Sequence, residues 1–226
     1  MSSNPSRPEL VASTLTTLVA AFAGARVDTS PYRHWLLSDV FPYGMAAELR
    51  RLPFPRPELG GVSGKRELHN DQRHYFDGAN IARFDVCAAV ADAFQSQAVV
   101  RAIETLTGVG VSGGYVRLEF AQDSNGFWLE PHTDLGVKLF TMLIYLPESS
   151  EQADLGTDMY TDPATWSKRP PFCDNSALVF IPGVNTWHGL APRSFPGVRR
   201  SVIMNYVTDD WRAREQLAYP DTPVRA

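Results

Sequence analysis

Among the five histidines of this 226-residue chain, two stand where imidazole chemistry is easiest to build. One lies in Pro131-His132-Thr133-Asp134, the other in Thr186-Trp187-His188-Gly189, behind the strand-like run Leu178-Val179-Phe180-Ile181-Pro182. In extended chain, residues i and i+2 point the same way, so His132 and Asp134 present an imidazole and a carboxylate to a single point. A second imidazole from another strand would complete a three-ligand face. Such a face grips a divalent metal from one side and leaves the opposite positions open to exogenous ligands.

An H-x-D tripeptide alone arises often by chance, and the order of the polar residues downstream of it is more telling. Fifty-three residues separate Asp134 from His188, and ten more lead to Arg199, which opens the run Arg199-Arg200-Ser201-Val202-Ile203-Met204-Asn205-Tyr206. As a strand, this run places Arg199, Ser201, Ile203 and Asn205 on one face and Val202, Met204 and Tyr206 on the other. Arg200 falls with the apolar set. Alternation of this kind also suits a surface strand with a solvated Arg199, and only the company of the histidine motifs argues for an interior one.

These side chains need a scaffold, and the chain divides into two halves of different character. Apolar residues recur at helical spacing from Glu9 to Ala23, with Pro8 suited to a first turn and Gly24 just past the end. Further helices are expected from about Tyr43 to Leu52, halted by Pro53, and over most of Val86 to Leu106, ending at Gly108. Pro53 to Asn80 is turn-rich. After Gly108, β-branched and aromatic segments take over between Gly, Pro, Asn and Asp. Strands are expected near Gly114–Ala121, Phe127–Asp134, Val137–Leu146, Ala177–Ile181 and Arg199–Val207. Helices followed by strands argue against a parallel doubly wound sheet and for an antiparallel sandwich or barrel with helices on one face.

The composition agrees with a folded chain: 44% apolar residues exclude a mostly disordered one. A formal net charge of −4, with 21 basic and 25 acidic residues, argues against a general nucleic-acid or membrane-surface binder. No apolar run approaches the length of a bilayer span. The segment MSSNPSRP lacks the pattern of a secretory signal, so a cytoplasmic location is expected. Cys87 and Cys173 show neither disulfide-scaffold nor metal-ligand spacing and read as free thiols.

Over Gly114 to Val207 the sequence resembles the Fe(II)/2-oxoglutarate-dependent oxygenases, with PHTD, WHGLAP and GVRRSVIMNY as anchors. The resemblance implies one domain over residues 1–226: a double-stranded β-helix (jelly roll, cupin-like) core at 109–210, mostly helical support at 9–108 and a flexible tail at 1–8. It makes His132, Asp134 and His188 the iron ligands, and Arg199, with Ser201 beside it, the partner of the distal carboxylate of 2-oxoglutarate. Arg200 is the neighbouring candidate, but the R-x-S spacing and the strand alternation favour Arg199. A guanidinium suits the task, because its planar fork binds carboxylate bidentately and stays charged.

The implied reaction consumes 2-oxoglutarate and O2, yields succinate and CO2, and hydroxylates a substrate C–H. Halogenating relatives replace the carboxylate ligand with a small residue, and Asp134 is present here. Tyr145 and Tyr115 are candidate cosubstrate contacts, each with a packing role as the alternative. Arg117, Asn205 and Trp187 are candidate substrate contacts on the same footing. Trp128 reads as a packing residue, His34 has no comparable context, and His69 and His74 fall in a polar stretch able to cover a pocket.

The polar segment from about Pro147 to Phe172 reads as an insertion, and chain size and charge favour a small metabolite, such as an amino acid or biosynthetic intermediate. Two other classes fit parts of the pattern. A zinc hydrolase would use the same three ligands but leaves Arg199 and Ser201 unexplained. A non-catalytic 2-oxoglutarate- or metal-binding jelly roll would use all of them without turnover.

Overall fold

The computed structural model describes residues 5–59, 63–65 and 72–226; His69, the expected loop histidine, lies outside them. The first helix, α1 (Arg7–Ala23), begins two residues before its expected start. Ser6 and Glu9 form a reciprocal cap there, the Ser6 N–H donating to Glu9 Oε2 at 2.8 Å. Two short antiparallel strands follow, β1 (Arg26–Asp28) and β2 (His34–Leu37), then α2 (Met45–Arg50), β3 (His74–Tyr75) and α3 (Gly78–Arg83). The single long helix expected from Val86 to Leu106 is two: α4 (Asp85–Gln95) and α5 (Gln97–Thr107). The break is at Ser96, whose extended backbone ends α4 and whose hydroxyl accepts the Val99 N–H to cap α5.

From Tyr115 on, strands are shared between two facing sheets. They are β4 (Tyr115–Ser124), β5 (Leu129–His132), β6 (Lys138–Leu146), β7 (Asp158–Asp162), β8 (Thr165–Lys168), β9 (Ser176–Phe180), β10 (His188–Leu190) and β11 (Val198–Val207). The large sheet runs β1-β2-β9-β6-β11-β4-β3 and the small one β5-β10-β7-β8, with all pairings between these strands antiparallel. This is the expected double-stranded β-helix, an open sandwich of two sheets with no closed barrel. The N-terminal half is less purely helical than expected, since β1, β2 and β3 extend the large sheet at both edges.

Burial follows the period-2 pattern. Val202, Met204 and Tyr206 of β11 join Phe140, Met142 and Ile144 of β6 in one core cluster with the apolar faces of α1, α4 and α5. The opposite face turns inward, where Leu143, Tyr145, Leu178, Phe180 and Ile203 form a smaller cluster between the sheets. Arg199, Ser201 and Asn205 share that inner face and are buried, which settles β11 as an interior strand. Arg200 points the other way and pairs with Glu148 and Gln122.

The segment from Pro147 to Phe172 is not an insertion into the fold, because it contributes β7 and β8 to the small sheet. One of its charges is wholly buried. Asp158, fully buried, is held by Arg169 and Arg193, by the Trp166 indole at 2.9 Å and by the Ala191 N–H at 2.7 Å.

Candidate metal centre and its cavity

Residue His132 ends β5 and His188 begins β10, and the two are paired across the small sheet. Glycine is required for that approach: a Cβ on Gly189 would stand 2.7 Å from the Leu129 carbonyl oxygen. The outer side of β5 is fixed by Gly64, whose N–H donates to the Trp128 carbonyl at 3.0 Å and whose carbonyl accepts the Glu130 N–H at 2.9 Å. Gly64 has φ +108°, and any Cβ there would meet the Trp128 indole at 2.7 Å. Trp128 is thus a packing residue.

Ligand atoms of His132, Asp134 and His188 all lie within 4.8 Å of one another. One ion can span that spacing with ligand distances of about 2.0–2.2 Å after small side-chain adjustments. Both rings are set for the task. His132 Nδ1–H donates to the Glu130 carbonyl at 2.9 Å and His188 Nδ1–H to the Thr186 carbonyl at 3.0 Å, which leaves both Nε2 lone pairs for a metal. The ring centroids are 4.3 Å apart, and the Phe180 ring lies 4.8 Å from that of His188. Burial pushes the His188 pKa down to about 4, with Asp134 opposing only in part, so the imidazole is neutral near pH 7.

Asp134 is held from two sides: its Oδ1 meets the Lys138 ammonium, and its Oδ2 accepts from Thr141 Oγ1 at 2.6 Å. Burial alone would raise the Asp134 pKa, but Lys138, His188 and the Thr141 hydroxyl outweigh it and hold the carboxyl well below the usual range. The donor set of two imidazoles and one carboxylate fits a divalent first-row metal.

The triad opens on a cavity of about 400 Å³ between the sheets. At the end marked by the start of β11, Arg199, Ser201 and Thr157 line it. Arg199 Nε donates to the Leu155 carbonyl at 2.6 Å and Nη1 to Asp123 Oδ2 at 2.6 Å, and the guanidinium lies over the Phe172 ring at 4.9 Å. These contacts leave Nη2 without a partner among the described residues, and the Ser201 hydroxyl is in the same position. A charged donor and a hydroxyl in one buried wall suit a carboxylate. The site therefore fits 2-oxoglutarate as well as a metal.

Other expected contacts sit elsewhere. Tyr145 does not line the cavity: its hydroxyl donates to Thr157 Oγ1 at 3.1 Å and accepts the Thr157 N–H, so it supports a lining residue from behind. Tyr115 opens β4, with Arg214 over its ring at 4.0 Å, and does not reach the cavity. Trp187 shares only its carbonyl with the small sheet, accepting the Tyr160 N–H at 3.0 Å, and is also outside the lining. Arg117 does line the cavity, stacked between Tyr75 and Trp211 at 4.9 Å from each ring.

Asn205 is fully buried behind the lining, accepting from Arg117 Nη1 at 3.0 Å and donating to Thr141 Oγ1 at 2.9 Å. Arg117, Asn205 and Thr141 so form a hydrogen-bonded line ending on Asp134. His34 is buried with Nδ1 on the Tyr32 carbonyl, and His74 stacks on Phe54 at 4.7 Å; neither lines the cavity.

Reading the sequence missed Glu119, Asp123, Lys138, Thr141, Thr157, Trp211 and Gln216. The signal for two of them was present. Arg117, Glu119 and Asp123 recur at period 2 in β4, a charged face that becomes interior because β4 pairs with β11 in register, Asp123 opposite Arg199.

No protein-family model matches the chain, and no curated protein matches it. Solved structures do. A prolyl 4-hydroxylase from Phytophthora capsici is 14% identical with a TM-score of 0.55, over 94% of this chain and 69% of that one. A Trichoplax adhaerens prolyl hydroxylase, solved with a peptide fragment of the hypoxia inducible factor oxygen degradation domain, is 15% identical with a TM-score of 0.55, over 92% of this chain and 93% of that one. An oxidoreductase of the 2OG-Fe(II) oxygenase family from Burkholderia pseudomallei gives 12%, 0.52, 92% and 93%. The chain has the fold of these oxygenases.

Proposed function

We propose that the protein is an Fe(II)- and 2-oxoglutarate-dependent oxygenase that hydroxylates an unactivated C–H of a small metabolite, forming succinate and CO2. The observation that carries this reading is the two-ended cavity, with the His132, Asp134 and His188 triad in one wall and the Arg199 and Ser201 donors at its β11-start end. A zinc hydrolase would use the triad and leave that end without a purpose. Bound at the triad, iron with 2-oxoglutarate and O2 would supply the oxidising power for C–H cleavage, the keto acid being decarboxylated.

The residues of the chain bind, orient and shield. His132 and His188 offer Nε2 because backbone carbonyls hold their Nδ1 protons. Thr141 fixes the direction of the Asp134 carboxylate, and Lys138 answers its charge where no metal does. Arg199 and Ser201 anchor the distal carboxylate of 2-oxoglutarate and so set the reach of its keto end, which is where positioning enters the rate. Phe180, buried against His188, keeps water from that side of the centre. The presence of Asp134 supports hydroxylation over halogenation.

A cavity of about 400 Å³ supports a small substrate beside 2-oxoglutarate. The test is O2-dependent release of succinate from 2-oxoglutarate with Fe(II), screened against free amino acids and related metabolites and, in parallel, a proline-containing peptide. Stimulation by a small metabolite and not by the peptide is the expected result. Stimulation by the peptide alone would move the substrate class, and no succinate under any condition would favour a binding module.

A further inference from the structure

We propose that the end of the cavity around Lys138 binds a carboxylate group of the primary substrate, a reading that rests on the oxygenase function above. The chain as a whole is acidic, at −4, yet basic side chains outnumber acidic ones among the described residues lining the cavity. Most are answered in place. Arg199 is paired with Asp123, Lys65 with Glu130 at 3.4 Å, and both Arg73 and Arg117 with Glu119. Lys138 is different, because its ion-pair partner among the described residues is Asp134, a member of the metal triad.

A divalent ion that draws on the Asp134 carboxylate takes the charge on which Lys138 depends, and ion and ammonium repel. The Lys138 side chain is only 16% exposed. A largely buried ammonium stripped of its counterion is costly, so the metal-loaded site calls for an anion from outside. Two neutral donors line the same cavity. The indole N–H of Trp211 is buried with no acceptor among the described residues. Gln216 gives its Oε1 to Arg117 Nε at 3.0 Å, which leaves its amide N–H groups as donors.

The cosubstrate does not use this set. Lys138 pairs with Val207 at the last residue of β11, and Arg199 lies at the other end of the same strand. The distal carboxylate of 2-oxoglutarate belongs with Arg199 and its near carboxylate with the metal. The anion at Lys138 is then the substrate's own carboxylate. A free amino acid or other free acid carries such a group, and an internal prolyl residue of a peptide does not.

The test uses anaerobic Co2+ as a visible probe and acetate as the simplest carboxylate. With Co2+ alone, Lys138→Met should bind the metal about fivefold or more tightly than the parent, because a competing cation is gone; equal or weaker binding would overturn the proposal. With Co2+ and 2-oxoglutarate loaded, acetate should shift the cobalt band saturably in the parent and in Lys138→Arg, and acetamide should not. Lys138→Met and Lys138→Gln should need at least tenfold more acetate. An identical acetate response in parent and variants, or none in the loaded parent, contradicts the assignment. So does a loss of 2-oxoglutarate affinity in Lys138→Met as large as that in Arg199→Ala, which would give Lys138 to the cosubstrate. Failure of the parent to take up Co2+ and 2-oxoglutarate at all is a separate result, and it contradicts the oxygenase reading itself.

Discussion

Thr141 Oγ1 donates to Asp134 Oδ2 at 2.6 Å while accepting from Asn205 Nδ2 at 2.9 Å. The first contact spans the gap between the metal motif and β6, and the second ties both to β11. Outer hydrogen bonds of this kind orient a ligand, and their loss typically lowers metal affinity about 10- to 100-fold. Thr141→Val should therefore weaken Co2+ or Mn2+ binding by that order in a calorimetric titration, with Thr141→Ser close to the parent. Unchanged affinity in the valine variant would remove Thr141 from the account.

Gly189 tests the pairing of the two histidine strands. An alanine Cβ would stand 2.7 Å from the Leu129 carbonyl oxygen, so β10 must move away from β5 and carry His188 from His132. Gly189→Ala is expected to lose most metal binding while far-UV circular dichroism stays near that of the parent. Full metal affinity in a folded alanine variant would show that the strands tolerate the displacement.

The Asp158 network bears on stability rather than chemistry. Removing one partner of a buried charge pair costs about 3–5 kcal/mol, and Asp158 answers two arginines at once. Asp158→Asn should fall in that range in urea unfolding at neutral pH. A cost below about 1 kcal/mol would mean that the two guanidinium groups find other partners or water.

The two thiols should differ in reactivity. Cys87 is fully buried in α4, and burial first, then Asp77, pushes its pKa up to about 12, whereas Cys173 is exposed. Near pH 8 a thiol reagent should titrate one cysteine in the native protein and a second only after denaturation. Two fast thiols in the native state would contradict the burial of α4.

Much of this site was legible because its residues obey short-range rules. H-x-D follows the period of extended chain, and the same period separates Arg199 from Arg200 in β11. The illegible part depended on partners distant in sequence or on elements too short to carry a pattern. β10 is three residues long and β3 two, so neither shows alternation. β7 and β8 are polar because the small sheet holds them partly through the Asp158 ion pairs, and polarity reads locally as loop. Tyr115 and Trp187 lie outside the cavity for different reasons: Tyr115 shares a face with Arg117 but opens β4 one step beyond the lining, and Trp187 precedes β10 in irregular chain. Asp123 meets Arg199 only through the register of β4 on β11.

The most direct test of the central claim is anaerobic addition of Fe(II) and then 2-oxoglutarate to the metal-free protein, followed by visible absorption. The parent should develop the weak charge-transfer band of a chelated keto acid. His132→Ala should develop none, and Arg199→Ala should require at least tenfold more 2-oxoglutarate. No band in the parent, or an Arg199→Ala titration that overlays it, would contradict a centre built from His132, Asp134 and His188 with its cosubstrate anchored on Arg199.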